Sequence, residues 1–290
     1  MATLKAIRRR ISSVKSTQQI TRAMKLVAAA RLRRAQEALV NARPYHEALK
    51  RVADSLLLSA PEVAAPAENA ARASLIIVVS SDRGLCGGYN TNLLRAAELE
   101  VRRQRQAGAD LKLFAVGRKA LDHFRRSRQP LEGERIGNAP RLATIGLARD
   151  LTAIILGSWR SGAIAEAGLV YTQFRSAISQ RPVYEQLLPI AQPTTDGGSA
   201  PIAVTDYLVE PSPSEIVPVV LRSYIEAATL HALLEAEASE YGAKMTAMDA
   251  ASNNAAEMIA SLTLEMNRAR QATITRELMD IVGGAEALRS

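Results

Sequence analysis

Apolar residues recur at both ends of this chain with a three-four alternation that runs far longer than a globular helix needs. From Val217 the stripe reads Val217, Val220, Tyr224, Ala227, His231, Leu234, Ala238, Tyr241, Met245, Met248, Ser252, Ala255, Ile259, Leu262, Met266 and Ala269, and only His231 and Ser252 are clearly polar. A period sustained over this many heptads marks a coiled-coil seam. No proline follows Pro218, the only glycine before Gly283 is Gly242, and Ser212-Pro213-Ser214-Glu215 supplies cap and first-turn chemistry. The pattern predicts one helix from about Ser214 to Val282, roughly 100 Å long at its ordinary rise.

The N-terminal end follows the same rule. Leu4, Ile7, Ile11 and Val14 form one stripe, and Leu32, Ala35, Leu39, Ala42, Leu49 and Leu56 continue it. Between them the stripe slips: the seam positions hold Gln18, Thr21, Lys25 and Ala28, while apolar Ile20, Met24 and Val27 sit one place earlier, about 100° around the helix. A face turned away from its mate is free to meet something else. Pro44 is expected to kink or locally break this helix, which otherwise runs from about Thr3 to Ser59, roughly 85 Å.

If the two helices pair antiparallel from a common base near Ser59 and Ser214, residue 3 meets about residue 270. The seam fails at that point. Ala269 is followed on its stripe by Thr273 and Arg276, while Ile274, Leu278, Ile281 and Val282 begin a new stripe out of phase. The last turns are therefore an unpaired helix with an apolar stripe, which is costly to leave in water and calls for a partner around it.

Between the helices, residues 60–72 (APEVAAPAENAAR) read as a linker. Then strands and helices alternate: a buried strand Leu75 to Ser80, a turn from Asp82 to Gly88, a helix from about Asn92 to Gln106, a strand Leu111 to Val116, a helix Arg118 to Arg126, a short segment near Leu131, and a helix Leu142 to Arg160. Gly168 to Ser176 and Pro182 to Ile190 read as a hairpin, and 191–204 as a loop. That order predicts an α/β, Rossmann-like domain with a mainly parallel sheet. The organisation expected is an N-terminal coiled-coil helix (1–59), a central α/β domain (73–207) and a C-terminal coiled-coil helix (212–290).

Charge changes the picture once it is split by segment. The 290 residues carry a formal +8, but residues 1–59 hold 13 Lys or Arg against 3 acids (+10), residues 60–213 hold 18 against 15 (+3), and residues 214–290 hold 6 against 11 (−5). A basic helix beside an acidic one explains part of this. The remaining excess, with Arg8, Arg9, Arg10, Arg31, Arg33 and Arg34 in clusters, suggests an acidic partner surface, protein or nucleic acid. No apolar run reaches the length of a membrane span and no signal-peptide core follows the first charges, so a chain that stays on the side where it is made is expected, without membrane insertion.

Candidate chemistry is sparse. Cys86 has no second cysteine, and His46, His123 and His231 lack ligand spacing, so no metal site is expected. The glycine turn follows the first strand, where phosphate binding occurs in many α/β proteins. Its Gly84-x-x-Gly87-Gly88 spacing fits neither dinucleotide nor P-loop fingerprints, and the second strand ends at Gly117-Arg118 without a ribose-binding acid. A tight structural turn is the better reading. No nucleophile with a base and no paired carboxylates stand out, so catalytic residues and cofactors are expected to be none.

The stretches Ile20-Thr21-Arg22-Ala23-Met24-Lys25-Leu26-Val27-Ala28-Ala29 and Ala42-Arg43-Pro44-Tyr45, the turn Ser81 to Asn90, Gln186-Leu187-Leu188-Pro189, and Met245 to Asn254 through Ala269 to Leu278 closely resemble the γ subunits of F-type ATP synthases, over the whole chain. The resemblance implies a central rotor: a helix pair inside a ring of three α and three β subunits, with the α/β domain as a foot on the ε subunit and the c-ring. It implies a non-catalytic part that couples proton-driven c-ring rotation to conformational cycling of the β sites for ATP synthesis, and the reverse for ATP hydrolysis. It implies β contacts at Met24, Lys25, Arg270, Gln271 and Thr275, an apolar sleeve around Ile274, Leu278, Ile281 and Val282, and c-ring contacts at Tyr207 and Glu210. The lone cysteine departs from the chloroplast members, which carry a dithiol insert, so thiol control is not expected. The start Met1-Ala2-Thr3-Leu4 enters the helix directly, which fits a bacterial or mature mitochondrial protein; the expected location is the cytoplasmic face of a bacterial inner membrane, peripheral to it.

Two other readings compete. A nucleic-acid-binding protein with a basic coiled-coil arm would explain the first helix, although three Phe and one Trp leave little for stacking on bases. A nucleotide-binding enzyme with a coiled-coil arm would need the glycine turn to hold phosphate.

Overall fold

The computed structural model describes residues 4–59, 73–137, 141–190, 210 and 212–287. Its elements in chain order are α1 (Leu4–Ser59), β1 (Ala73–Val79), α2 (Tyr89–Gln106), β2 (Asp110–Val116), α3 (Arg118–Arg126), β3 (Leu131–Arg135), α4 (Arg141–Arg160), β4 (Glu166–Ser176), β5 (Ser179–Leu188) and α5 (Pro213–Ala287). The segments read as a linker (60–72) and a late loop (191–204) lie outside the described residues. By contact the chain forms two units, Met1–Ala28 with Met245–Ser290, and Ala29–Lys244.

The larger unit is built on a five-stranded sheet in the order β3-β2-β1-β4-β5. Strands β3, β2, β1 and β4 run parallel, and β5 returns antiparallel as a hairpin on β4. β1 is buried along its whole length and apolar but for Ser74, as a central parallel strand covered on both faces requires. Its alternate residues serve two cores. Ile76 and Val78 pack with Leu93 and Ala97 of α2 and Leu121 and Phe124 of α3. Leu75, Ile77 and Val79 pack with Leu151, Ile155 and Trp159 of α4, Tyr224, Ile225 and Leu233 of α5, and Ala53 of α1. The sheet is therefore covered by α2 and α3 on one face, and by α4 with parts of α1 and α5 on the other.

Both long helices follow their seams. In the larger unit Leu39 packs with Leu234, and Leu56 with Val217. In the smaller unit the inward residues of α1 are Ile7, Thr21 and Ala28, and those of α5 are Met248, Ala255 and Leu262. The numbers rise along one helix as they fall along the other, so the pairing is antiparallel. α5 starts where its cap chemistry puts it: Ser212 Oγ lies 3.0 Å from Glu215 Oε1, with Pro213 in the first turn.

α1 is the single helix expected, and of the two outcomes read for Pro44 a local break does not occur: the chain stays helical through Pro44, an exposed position, while buried Ala38, Leu39 and Ala53 hold the flanks. One end is corrected, since α5 runs past Gly283, to Ala287. One stretch of α5 is long and apolar enough to cross a membrane by length and composition, but half of that stretch is buried within the protein, as in a core helix.

Two glycines mark close approaches. Gly117 has φ 87°, and a Cβ there would collide with the Ser80 backbone carbonyl at the end of β1. Gly242 of α5 lets the β4–β5 turn approach, with Ala177 Cα 3.4 Å from where a Cβ would stand. Gly117→Ala, which combines a left-handed backbone with that collision, is expected to cost more than about 2 kcal/mol of unfolding free energy by urea titration.

Candidate functional site

The glycine turn follows β1 at the carboxyl edge of the sheet, where doubly wound domains hold nucleotides. Here the chain fills that position with its own groups. The Asp82 carboxylate accepts the Arg118 N–H at 2.9 Å and the Gly137 N–H at 2.9 Å, so it lies at the N-terminus of α3 where a phosphate would sit. The next N-terminal donors are taken too: Lys119 N–H by Ser81 O at 3.1 Å and Ala120 N–H by Ser80 Oγ at 2.8 Å. Asn90 returns from α2 to receive the Ser81 N–H at 3.2 Å and to donate to Ser81 Oγ at 2.9 Å. Leu85 takes a left-handed φ of 64° and Gly87 one of 56° to turn the chain within this net.

On the other side, α5 closes the crevice. Tyr89 is buried and donates to the Ala236 carbonyl at 3.2 Å, while Cys86 and Tyr89 pack on Ala243. Burial raises both the Cys86 thiol and the Tyr89 phenol above their ordinary pKa ranges, with Glu240 adding to each. The space left among Ser80, Tyr89, Leu233, Ala236 and Glu237 is about 40 Å³, against the roughly 300 Å³ or more of small-molecule pockets. The structural reading of the turn is the one the geometry supports: it ties β1, α2, α3 and the end of β3 to one another.

The structure also brings together two residues that looked scattered in sequence. His46 of α1 and His231 of α5 stack with ring centroids 4.6 Å apart and planes 6° from parallel, next to Tyr224. Each Nδ1 is buried without a hydrogen-bond partner, and His231 Nε2 lies 3.5 Å from Glu235 Oε1. Parallel rings aim their lone pairs side by side, so the pair does not converge on a metal; among the described residues no cluster of three potential ligands occurs. Burial, then His46 and Arg43, lowers the His231 pKa to about 4, and burial with Lys50 lowers that of His46 against the pull of Glu185 and Glu47. Only the helix pairing, not residue spacing, could have revealed this contact.

In the smaller unit the slipped stripe lies where sequence put it. Thr21 and Ala28 are buried on the seam, and Lys25 Nζ meets Asp249 Oδ1 at 2.6 Å. Ile20 and Val27 are exposed at 56% and 54%, and Met24 is half-buried. Asp249 was missed as a partner, although it follows Met248 on the facing seam. At the far end of α5 every residue from Arg270 to Val282 is exposed, which includes Arg270, Gln271 and Thr275, and Ile274, Leu278, Ile281 and Val282 stand at 51%, 56%, 72% and 54%. Glu210 is exposed, and Tyr207 lies outside the described residues.

These features define a class: terminal helices paired along an antiparallel seam, an α/β domain whose nucleotide crevice is filled from within, and a helix end without a mate among the described residues. A family model described as ATP synthase matches residues 3–288. The ATP synthase gamma chain of Moorella thermoacetica is 45% identical over 295 residues, covering 100% of both chains, and that of Desulfitobacterium hafniense is 44% identical over 290 residues, covering 99% of this chain and 100% of the relative. Among solved structures, the central stalk and c-ring of the Tetrahymena thermophila mitochondrial ATP synthase contains a chain 25% identical, with TM-score 0.59, covering 80% of this chain and 99% of that one. A chain from the Euglena gracilis mitochondrial OSCP/F1/c-ring assembly shares the fold at 21% identity and TM-score 0.68, covering 98% of this chain and 94% of that one. This chain belongs to the ATP synthase gamma chain family, and that membership replaces the nucleic-acid reading of its basic first helix.

The stacked histidines set a pH dependence with a definite sign. A base whose pKa is depressed on folding stabilises the fold fully above its unfolded pKa, near 6.5, and loses that contribution as pH falls toward 4. Glu235, whose carboxyl burial pushes upward, opposes this in part. The unfolding midpoint should fall between pH 7 and pH 4.5, by on the order of 2 kcal/mol of stability from His231. His231→Leu should flatten that slope, as thermal unfolding followed by circular dichroism at both pH values will show.

Proposed function

We propose that this chain is the central rotor of a proton-translocating F-type ATP synthase, a non-catalytic subunit that couples c-ring rotation to conformational cycling of the catalytic β subunits. The observation that carries this reading is the end of α5. Past Ala269 the seam stops, and a helix with an apolar stripe continues with every residue from Arg270 to Val282 exposed, which in water costs about 25 cal/mol for each Å² of apolar surface left out. A sleeve formed by a ring of three α and three β subunits would cover Ile274, Leu278, Ile281 and Val282. Arg270, Gln271 and Thr275 present polar groups on the same stretch, suited to gripping a β loop, and the stripe led by Met24 would meet another.

The foot is the central domain, taken as residues 73–207 between coiled-coil helices 1–59 and 212–290. Its contacts would be the ε subunit and the c-ring loops, with Tyr207 and Glu210 nearest the latter, at the cytoplasmic face of a bacterial inner membrane and peripheral to it. Filling the nucleotide crevice with Asp82 and Tyr89 suits a part that transmits torque and performs no chemistry. One asymmetric shaft in a threefold ring cannot touch three β subunits alike, so it favours a different conformation in each and sets their affinities apart.

Tagging the chain at its C-terminus through a flexible linker and weighing the complex extracted from native membranes tests the reading. One copy per three α and three β subunits, with ATPase activity, is expected; a particle bound to RNA or a nucleotide-binding homodimer would overturn it. Deleting residues from Arg270 onward should leave the unfolding free energy of the isolated chain within about 0.5 kcal/mol of the intact one, since every residue from Arg270 to Val282 is exposed. The same deletion should weaken retention in the complex.

A further inference from the structure

The slipped stretch of α1 poses a packing problem. Two stripes lie about 100° apart on the same turns: Gln18, Thr21, Lys25 and Ala28, which face α5, and Ile20, Met24 and Val27, of which the first and last face out. Hydrophobic burial alone would roll α1 the other way, turning the branched apolar side chains inward and the Thr and Lys to water. Packing does not hold the observed phase strongly, because the inward residues here are small or polar. Thr21 bonds its own helix, with its hydroxyl 3.0 Å from Gln18 O, and adds no directional bond to α5.

The bond that does point across is Lys25 to Asp249. We propose that this ion pair is a phase lock, a positioning pair that holds α1 in the rotation that leaves Ile20, Met24 and Val27 turned outward as a contact stripe. The pair sits at the edge of the seam, with side chains 38% and 46% exposed, so it contributes little net stability; it discriminates between arrangements because only the observed phase makes this 2.6 Å contact. Rolling α1 by 100° carries Lys25 away from Asp249. Sliding it one heptad sets Asp249 against Gln18 or Lys25 against Ala256, again unpaired. Lys25, expected from sequence as a contact to β, is thereby assigned to the chain's own second helix, and the role in contact passes to its neighbours.

The use of the stripe rests on the rotor reading; the lock itself does not, and it is tested on the isolated full-length chain. Cysteine is placed at Ile20 or Thr21, and maleimide labelling rates are compared, with buried Cys86 reporting any global opening. With the lock intact, Ile20→Cys should label at least tenfold faster than Thr21→Cys. In Lys25→Met, Asp249→Leu and the shape-conserving Asp249→Asn that ratio should collapse or invert while Cys86 stays protected, and the exchange Lys25→Asp with Asp249→Lys should restore it. An unchanged ratio in Asp249→Asn, or an exchange that fails to restore the ratio lost in the single variants, would overturn the proposal. The mass of the native complex decides the rotor reading separately.

Discussion

The antiparallel seam between α1 and α5 sets many small side chains between its larger ones, and that constraint reaches the rest of the structure. Ala28, Ala35, Ala38 and Ala53 on one helix and Ala227, Ala238 and Ala255 on the other are buried with almost no volume of their own. Helices joined by alanine approach closely and stay slender, but they gain less from burial than a leucine seam would. The larger unit compensates by adding a sheet: Tyr224, Ile225 and Leu233 of α5 share a core with β1 and α4. In the smaller unit no sheet is available, and polar residues enter the seam where specificity of phase matters more than depth of burial.

The same economy explains the filled crevice. A parallel sheet of this order leaves a gap beside the carboxyl end of β1, and an empty gap would expose the donors at the start of α3. Asp82 supplies a permanent anion to those donors, and α5 lays Ala236 and Ala243 over Tyr89 and Cys86. A crevice that holds nucleotides in many domains of this order is thus filled by the chain itself. The cost is that Gly117 must hold a left-handed backbone against Ser80, because any side chain there would separate α3 from β1.

Periodicity made the fold largely legible. Heptad positions located both seams, their slip near Met24 and their end at Ala269, because a coiled coil carries its geometry in its period. Alternation of apolar runs with helix-length segments located the sheet, with strand ends off by a few residues where β4 began earlier and β5 accepted Pro182 at a sheet edge. What stayed hidden were contacts between residues distant in sequence. Asp249, Asp82 and the His46–His231 stack all look like ordinary side chains until the helices are paired and the sheet is ordered. Pro44 left two outcomes open, a kink or a local break, and α1 staying helical through it removes the break.

The uncovered end of α5 separates two demands that the chain meets at different places. Paired stretches resist twisting because each helix fixes the other's rotation through the seam, and Lys25 with Asp249 extends that fixation across the turns where apolar packing gives out. Past Ala269 no second helix among the described residues covers α5, so it resists only as a single rod, and its apolar stripe would gain stability from a partner that enclosed it. Ile274, Leu278, Ile281 and Val282 would together be worth about 6 kcal/mol or more if fully covered, which is comparable to the stability of a small domain. An enclosure that offered the same apolar lining at every rotation would hold the tip without holding its angle. On the rotor reading, angular information would then come from the slipped stripe on α1, the place where the chain turns a face outward beside a charge pair.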